Sequence, residues 1–366
     1  MSSCRIRGRN VMDISPLRAV VAAHGQPAVV ALARGTEIAV DAQGGYSPDT
    51  VVRIASLSKP IVATAALVLV ADGVLDLDDP ITDLLPELAD RRVLNRPDGP
   101  LDDTVPADRA ITLRDLLTLT WGFGIDPALR PDAPIVRAAA ELELRIGPPL
   151  PPVPFGPDEW LARLATLPLL HQPGARWTYD TGSDVLGVLH ARATGTPLPE
   201  LLAERVFIPL GMTRTAFHAA GLPPLYERGP DGLVVVDPAD GAWSRPPAFP
   251  RASGGLVSTA ADLLAFTGVL ARSGGDLLPP QLFAEMTTDQ LTPAQKGSVI
   301  LGERGWGFGL SVYGQSRIGW AGGTGTYWFT DLRRGTTALL LTQCMFGPDS
   351  DALVGAFERV ASEVLT

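Results

Sequence analysis

Residues 56–73 read SLSKPIVATAALVLVADG, two serines and a lysine followed by an unbroken apolar run. The run predicts a helix that Gly73 ends at its C-terminal side, because glycine takes the left-handed conformation at little cost. Pro60 falls in the first turns, where a missing N–H is tolerated. Ser56 and Lys59 are three apart, so a helical start places them on one face. Ser58 is about 200° around that helix from Ser56 and is read as structural. A serine hydroxyl is a weak nucleophile until a base takes its proton. Lys59 is such a base if burial against the apolar helix depresses its pKa. The helix N-terminus adds free N–H groups that suit a developing oxyanion. The plain alternative is an N-capping Ser56 beside a surface Lys59. Lysine usage weighs against it, since only Lys59 and Lys296 occur among thirty basic residues. A surface position would accept arginine, whereas an amine that must shed a proton would not.

Upstream lie a short helix, Pro16 to Ala23, and two strands, PAVVALAR and TEIAV, separated by a glycine-containing turn. Downstream of Leu75 the texture becomes helices joined by long loops: TLRDLLTL, PDEWLARLATL, SDVLGVLHARATG and PELLAERVF. Eight prolines between Pro131 and Pro157 predict an irregular surface excursion of the kind that walls a substrate site. From Ala252 strands return: GGLVS, then the helix TAADLLAFTGVLA, then WGFGLSVYG, RIGWAGGTGTYWFT and TTALLLTQ, with ALVGAFERVASEVL as a closing amphipathic helix. Strands at both ends and helices in the middle predict an α/β fold of the α+β type. One antiparallel sheet is built from both chain ends, flanked by helices, with a mostly helical domain inserted. The expected division is 1–78 with 245–366 for the sheet domain and 79–244 for the insertion.

Composition narrows the chemistry. The 366 residues carry a net charge of -10, which disfavours nucleic acid and anionic membrane surfaces as partners. Cys4 and Cys344 are far apart in sequence, and four histidines occur without HExxH spacing, so neither a disulfide framework nor a metal is expected. No cofactor motif is present: no Walker-type loop, no dinucleotide fingerprint and no GxSxG. Asp13, Pro16 and Arg18 interrupt what would be a leader's apolar core, and Ile61 to Ala71 is too short to span a bilayer. A cytoplasmic protein is the expectation.

Two further segments extend the Ser56–Lys59 reading: PGARWTYDTGSDVLG, with Tyr179, and GWAGGTGTYWFTD, with Trp320, Gly322 and Gly323. In this order the three elements resemble the penicillin-recognising serine hydrolases: class C β-lactamases, DD-peptidases and family VIII carboxylesterases. LLTLTWGFG, IPLGMTRTAF and SGGLVSTAADLLAF are weaker echoes, and the resemblance runs from about residue 25 to the end. It implies a β-lactamase/transpeptidase-like fold with Ser56 acylated, Lys59 as its proton acceptor and Tyr179 as the shuttle to the leaving group. It also implies an oxyanion hole from the N–H groups of Ser56 and Gly323, with Gly322 and Gly323 letting the backbone approach substrate closely. A tyrosine does this work only if a cation stabilises its phenolate.

Two departures shape the expected activity. Trp320 stands where β-lactamases and many DD-peptidases carry a cation that holds the substrate carboxylate, and Arg317, three back on a strand, points to the opposite face. Thr181 replaces the usual asparagine two residues after the tyrosine. Ala321 stands where the esterase version has glycine. Asp184 matches an aspartate of the esterases and is read as a helix cap. The expectation is a serine hydrolase that acts on small carboxylic esters, or transfers the acyl group, through an acyl-Ser56 intermediate. The alternatives are a β-lactamase or D-amino peptidase-type amide hydrolase, a macrocyclising thioesterase of this fold, and, from a different class, a non-catalytic binding module. The expected partner is a small ester or amide. The oligomeric state is not encoded in any motif.

Overall fold

A computed structural model describes residues 12–147, 150, 152–229, 232–314 and 316–366. Cys4 and the residues before Met12, on which the reading of a missing leader partly rests, lie outside the described residues. The sheet strands are β1 (Ala28–Arg34), β2 (Glu37–Gln43), β3 (Gly305–Trp306), β4 (Ser311–Tyr313), β5 (Arg317–Gly322), β6 (Thr326–Asp331) and β7 (Thr336–Leu341). They form one seven-stranded antiparallel sheet in the order β2-β1-β7-β6-β5-β4-β3. The first two strands thus join the C-terminal five, as the two-ended strand pattern implies.

Period-two alternation splits the sheet into two faces. Val29 and Ala31 of β1 and Leu339 and Leu341 of β7 enter one apolar cluster, while Val30, Leu32, Ala338 and Leu340 enter a second. The pairing Val29↔Leu341 and Ala31↔Leu339 keeps like faces together. The second cluster is closed by helix α1 (Ser15–His24) through Leu17 and Val21, and by the C-terminal helix through Leu353, Phe357 and Ala361. The first is closed by helix α2 (Ser58–Ala71), in which every residue from Ser58 to Leu69 is buried. A helix apolar on all sides belongs inside a core, where each fully buried Leu or Ile contributes about 1.5–3 kcal/mol. It ends as expected: Gly73 follows with φ +71°, and Val74 N–H reaches back to the Leu69 carbonyl.

The middle of the chain departs from the sequence reading in more than one place. Two short antiparallel strand pairs, Arg92–Leu94 with Thr104–Pro106 and Leu225–Gly229 with Gly232–Asp237, lie among its helices. The proline-rich excursion contains a helix, Pro134–Glu141, with Ile135 and Ala139 buried on one side. Pro134 sits at its first position, where proline is well accommodated, so the proline count alone disguised it. Helix α3 (Thr181–Thr194) packs against α2 and has its N-terminal ten residues buried.

Inside α3, His190 is buried and neither ring nitrogen has a hydrogen-bond partner among the described residues. Burial disfavours its charged form and pushes its pKa down to about 3. Above its ordinary pKa near 6.5 the ring is neutral folded or unfolded and nothing depends on pH. As the pH falls from there towards 3, the unfolded chain takes up a proton the folded one refuses. Stability should therefore drop by about 1.4 kcal/mol per pH unit. His190→Leu is expected to flatten this slope in urea titrations at pH 6.5, 5.5 and 4.5. Parallel slopes for both proteins would refute the assignment.

Candidate active site

Ser56 is presented by a short strand and a strained turn. Val52–Arg53 pairs with Val257–Ser258, and Arg53 is fully buried with its Nε donating to Asp237 Oδ2 at 3.0 Å. Its Nη1 donates to the Pro223 carbonyl at 2.7 Å and its backbone N–H to Gln343 Oε1 at 3.0 Å. The chain then reverses at Ala55, whose φ of +45° is uncommon for a residue with a Cβ. The 3-10 turn Ala55–Leu57 leaves Ser56 half-buried between fully buried neighbours. Ser58 Oγ donates to the Ala55 carbonyl at 2.7 Å and accepts the Leu256 N–H at 3.2 Å, the structural role expected of it.

The β5–β6 hairpin is laced to this turn. Thr324 Oγ1 donates to the Arg53 carbonyl at 2.7 Å and Thr326 Oγ1 to the Ile54 carbonyl at 3.0 Å. A Cβ on Gly322 would lie 2.4 Å from the Ile54 carbonyl oxygen and 2.2 Å from Thr326 Oγ1. The close approach that the structure shows at Gly322 is to the Ser56 turn, and Gly322 is not among the residues lining the cavity. Gly323 does line the cavity, and a Cβ there would meet nothing within 4 Å. Its carbonyl accepts the Phe346 N–H at 3.1 Å.

Lys59 is fully buried, and its Nζ has three acceptors: Ser56 Oγ at 3.0 Å, Asp180 Oδ1 at 2.7 Å and the Ser253 carbonyl at 2.6 Å. Three acceptors match the three protons of an ammonium. Burial is the largest single influence and opposes the charge, but Asp180, then Tyr179 and Asp184, together outweigh it and raise the Lys59 pKa above its ordinary value. This corrects the expectation that burial depresses it. Lys296, the other lysine, pairs with Asp289 away from the cavity.

Tyr179 is framed by aromatics. Trp177 stacks on it at 5.5 Å and 28°, and Trp306 meets Trp320 edge-on at 4.7 Å and 84°. Trp320 Nε1 donates to Tyr179 Oη at 2.7 Å, which leaves the phenol's own proton for another partner. Lys59 Nζ lies 4.5 Å from the ring centroid. Arg317 points away as expected, 4.8 Å over the Phe329 ring on the other face of the sheet. Thr181 Oγ1 donates to the Phe123 carbonyl at 2.8 Å and is spent on the scaffold.

Four residues without an assigned role in the sequence reading, or with the wrong one, surround Lys59. Asp180 has φ +83° and ψ -71°, with Thr181 N–H bonded to the Tyr179 carbonyl at 3.2 Å, a strained three-residue turn. Burial works against its charge, but Lys59 and Arg251 outweigh burial and hold its pKa below the ordinary carboxylate value. Arg251 Nη2 bonds Asp180 Oδ2 at 3.1 Å and Asp184 Oδ2 at 2.7 Å. Asp184 also accepts the Ser253 N–H at 2.8 Å. Asp184 is therefore no helix cap, since its carboxylate is occupied by Arg251 and Ser253 inside the protein. The one local signal for this set was a carboxylate adjacent to Tyr179.

Ser56, Tyr179, Trp320 and Gly323 face one cavity of about 310 Å³, with Trp243 and Phe346 on its apolar wall. A serine hydroxyl, a lysine against it, a tethered phenol and backbone at the opposite wall are the kinds of parts that acyl transfer through serine uses. Among the described residues no group of His, Cys, Asp or Glu is placed to hold a metal ion, and no helix is long and apolar enough to cross a membrane.

A match to the beta-lactamase family extends over residues 17–362, and the chain belongs to that family. An uncharacterized protein of Mycobacterium tuberculosis is 39% identical over 83% of this chain and 80% of its own length. Esterase EstB of Burkholderia gladioli is 33% identical over 92% of this chain and 88% of its own. Among solved structures, EstCE1, described as a hydrolase with promiscuous acyltransferase activity, superposes with a TM-score of 0.81 at 22% identity, covering 96% of this chain and 97% of its own. The fold is β-lactamase/transpeptidase-like, as the three sequence elements implied.

The Trp320–Tyr179 bond has a measurable consequence. Trp320→Phe keeps an aromatic ring and removes the N–H, so kcat/KM of any Ser56-dependent turnover is expected to fall about two- to tenfold, since such a hydrogen bond is worth about 0.5–1.5 kcal/mol. An unchanged kcat/KM in the folded variant would show the bond to be idle.

Proposed function

We propose that this member of the beta-lactamase family is a serine hydrolase of small carboxylic esters that works through acyl-Ser56. The observation that carries the reading is that Ser56 and Tyr179, the latter bonded through Oη to Trp320, face one cavity, with buried Lys59 Nζ 3.0 Å from Ser56 Oγ. In the reactive form a Tyr179 phenolate faces the Lys59 ammonium and the Trp320 N–H. Ser56 Oγ attacks the ester carbonyl carbon while its proton passes to Tyr179, and the Ser56 and Gly323 N–H groups receive the oxyanion. As the carbon–oxygen bond to the alcohol breaks, Tyr179 returns the proton to the leaving alkoxide. Water then repeats the sequence on acyl-Ser56 and releases the acid. The segment 79–244 contributes Ile125, Leu150, Tyr179 and Trp243 to the wall of the cavity.

Esters are favoured over β-lactams because Trp320 offers no charge for a substrate carboxylate and Thr181 is tied to Phe123. A neighbouring cavity of about 580 Å³ shares Ile125, Gly147 and Leu150 with the catalytic one. It gives room for a bulky apolar group, and it also favours a second reading in which an alcohol seated there replaces water as acceptor.

Four reagents separate the possibilities. p-Nitrophenyl butyrate should turn over, a fluorophosphonate should add to Ser56 by intact and peptide mass spectrometry, and Ser56→Ala should abolish both. Release of a butyrate ester when a small alcohol is added would support acyl transfer. Nitrocefin turnover would move the assignment to β-lactam hydrolysis, and an unlabelled Ser56 without turnover would leave a binding module.

A further inference from the structure

Resting on the serine-hydrolase reading, we infer that Asp180 is a positioning residue: braced by Arg251 and Asp184, its carboxylate holds Lys59 as an ammonium aimed at Ser56. The polar contacts close into a ring. Lys59 binds Asp180, Asp180 binds Arg251, Arg251 binds Asp184, Asp184 binds Ser253, and the Ser253 carbonyl returns to Lys59. Two cations and two anions balance within it, and none of the four charged side chains is more than 6% exposed. Arg251 is itself tied down, its Nη1 donating to the Arg145 carbonyl at 2.8 Å. The direction in which the Asp180 carboxylate points is therefore fixed from behind.

The backbone supports the same conclusion. A tight turn at φ +83° is served best by glycine, or by asparagine at less cost than most side chains. The strain at Asp180 persists only because its surroundings over-determine it, which is the pattern of a residue retained for its side chain. The two carboxylate oxygens divide the work. Oδ1 faces Lys59 and Oδ2 faces Arg251, so the nucleophile's partner and the scaffold are gripped by one group.

Charge is the quantity at stake. The groups facing Lys59 are Asp180, Tyr179 and Asp184, with Arg251 behind the first and third and Ser56 uncharged. Replacing Asp180 by asparagine removes the nearest anion and leaves burial and Arg251 both opposing the ammonium. Lys59 then loses its proton at lower pH, and the alkaline limb of a reaction that needs the ammonium moves down with it.

The scarcity of lysine makes this directly observable. Protein labelled with ¹⁵Nζ-lysine carries two such resonances, Lys59 and Lys296, and Lys296→Arg assigns them. In the wild type the Lys59 resonance should keep its ammonium shift through pH 9; in Asp180→Asn it should move to the neutral amine at least one pH unit lower. The alkaline limb of kcat/KM for p-nitrophenyl butyrate should move down with it, with KM within twofold and Asp180→Glu partly restoring the limb. Asp180→Gly, which relaxes the turn, should behave like the asparagine variant and provides a second protein should the first fold poorly. A neutral Lys59 in the wild type at pH 7, or wild-type pH behaviour in both variants, would overturn the proposal. So would an asparagine variant that gains activity at acid pH. Absence of Ser56-dependent turnover would count against the hydrolase reading alone, because the resonance titration needs no substrate.

Discussion

An ammonium sealed from water is stable only where each of its protons has an acceptor and its charge has a counter-charge. Moving such an ion out of water costs several kcal/mol even after relaxation. At Lys59 that cost is met by Ser56 Oγ, Asp180 and the Ser253 carbonyl, and it obliges three distant segments to arrive together. Segments 56–59, 179–184 and 251–253 are separated by more than a hundred residues at the first step and by about seventy at the second. Most of the scaffold can be understood as the means of bringing them together. Helix α2 is apolar on every side so that it stays inside, and its first turn carries Lys59 into the core. Helix α3 follows the strained Asp180 and has its first ten residues buried, and it packs against α2, so the carboxylate is held almost entirely inside the protein.

The other side of Ser56 is fixed by backbone and not by charge. The Ile54 and Arg53 carbonyls accept two threonine hydroxyls from the β5–β6 hairpin, and the approach is so close that only a residue without a Cβ fits at Gly322. Ser56 thus sits between a rigid hydrogen-bonded seam and a charged ring. Its neighbour Ala55 absorbs the resulting bend at positive φ.

What was legible in the sequence follows the range of the interactions. Ser56 and Lys59 stand three apart, and lysine is so scarce that its presence at 59 carried information of its own. The sheet was readable because strand alternation and the closing helix are local patterns, and a glycine after α2 marks its end. The ring was not, because its bonds join residues 67 to 194 positions apart and arginine is too common here for Arg251 to stand out. Asp184 was misread because an acidic residue near a helix start has a local explanation, capping, that sequence always offers first. The direction of the Lys59 pKa failed for the same reason: burial is inferred from neighbours in the chain, whereas the compensating carboxylates come from elsewhere in the fold.

Trp320 joins specificity to chemistry at a single position. Where relatives that recognise β-lactams carry a cation, this chain has an indole whose N–H is committed to Tyr179 Oη and whose ring packs against Trp306. A cation there would attract a substrate carboxylate. It would also add a charge next to Tyr179, whose ring lies against Lys59, where the ring of Lys59, Asp180, Arg251 and Asp184 already balances two cations with two anions. The indole supplies a hydrogen-bond donor to the phenol without adding charge. Under the ester-hydrolase reading, the loss of a carboxylate anchor and the tethering of the phenol are then one substitution seen from two sides, and the apolar lining of the cavity follows as the remaining source of substrate affinity.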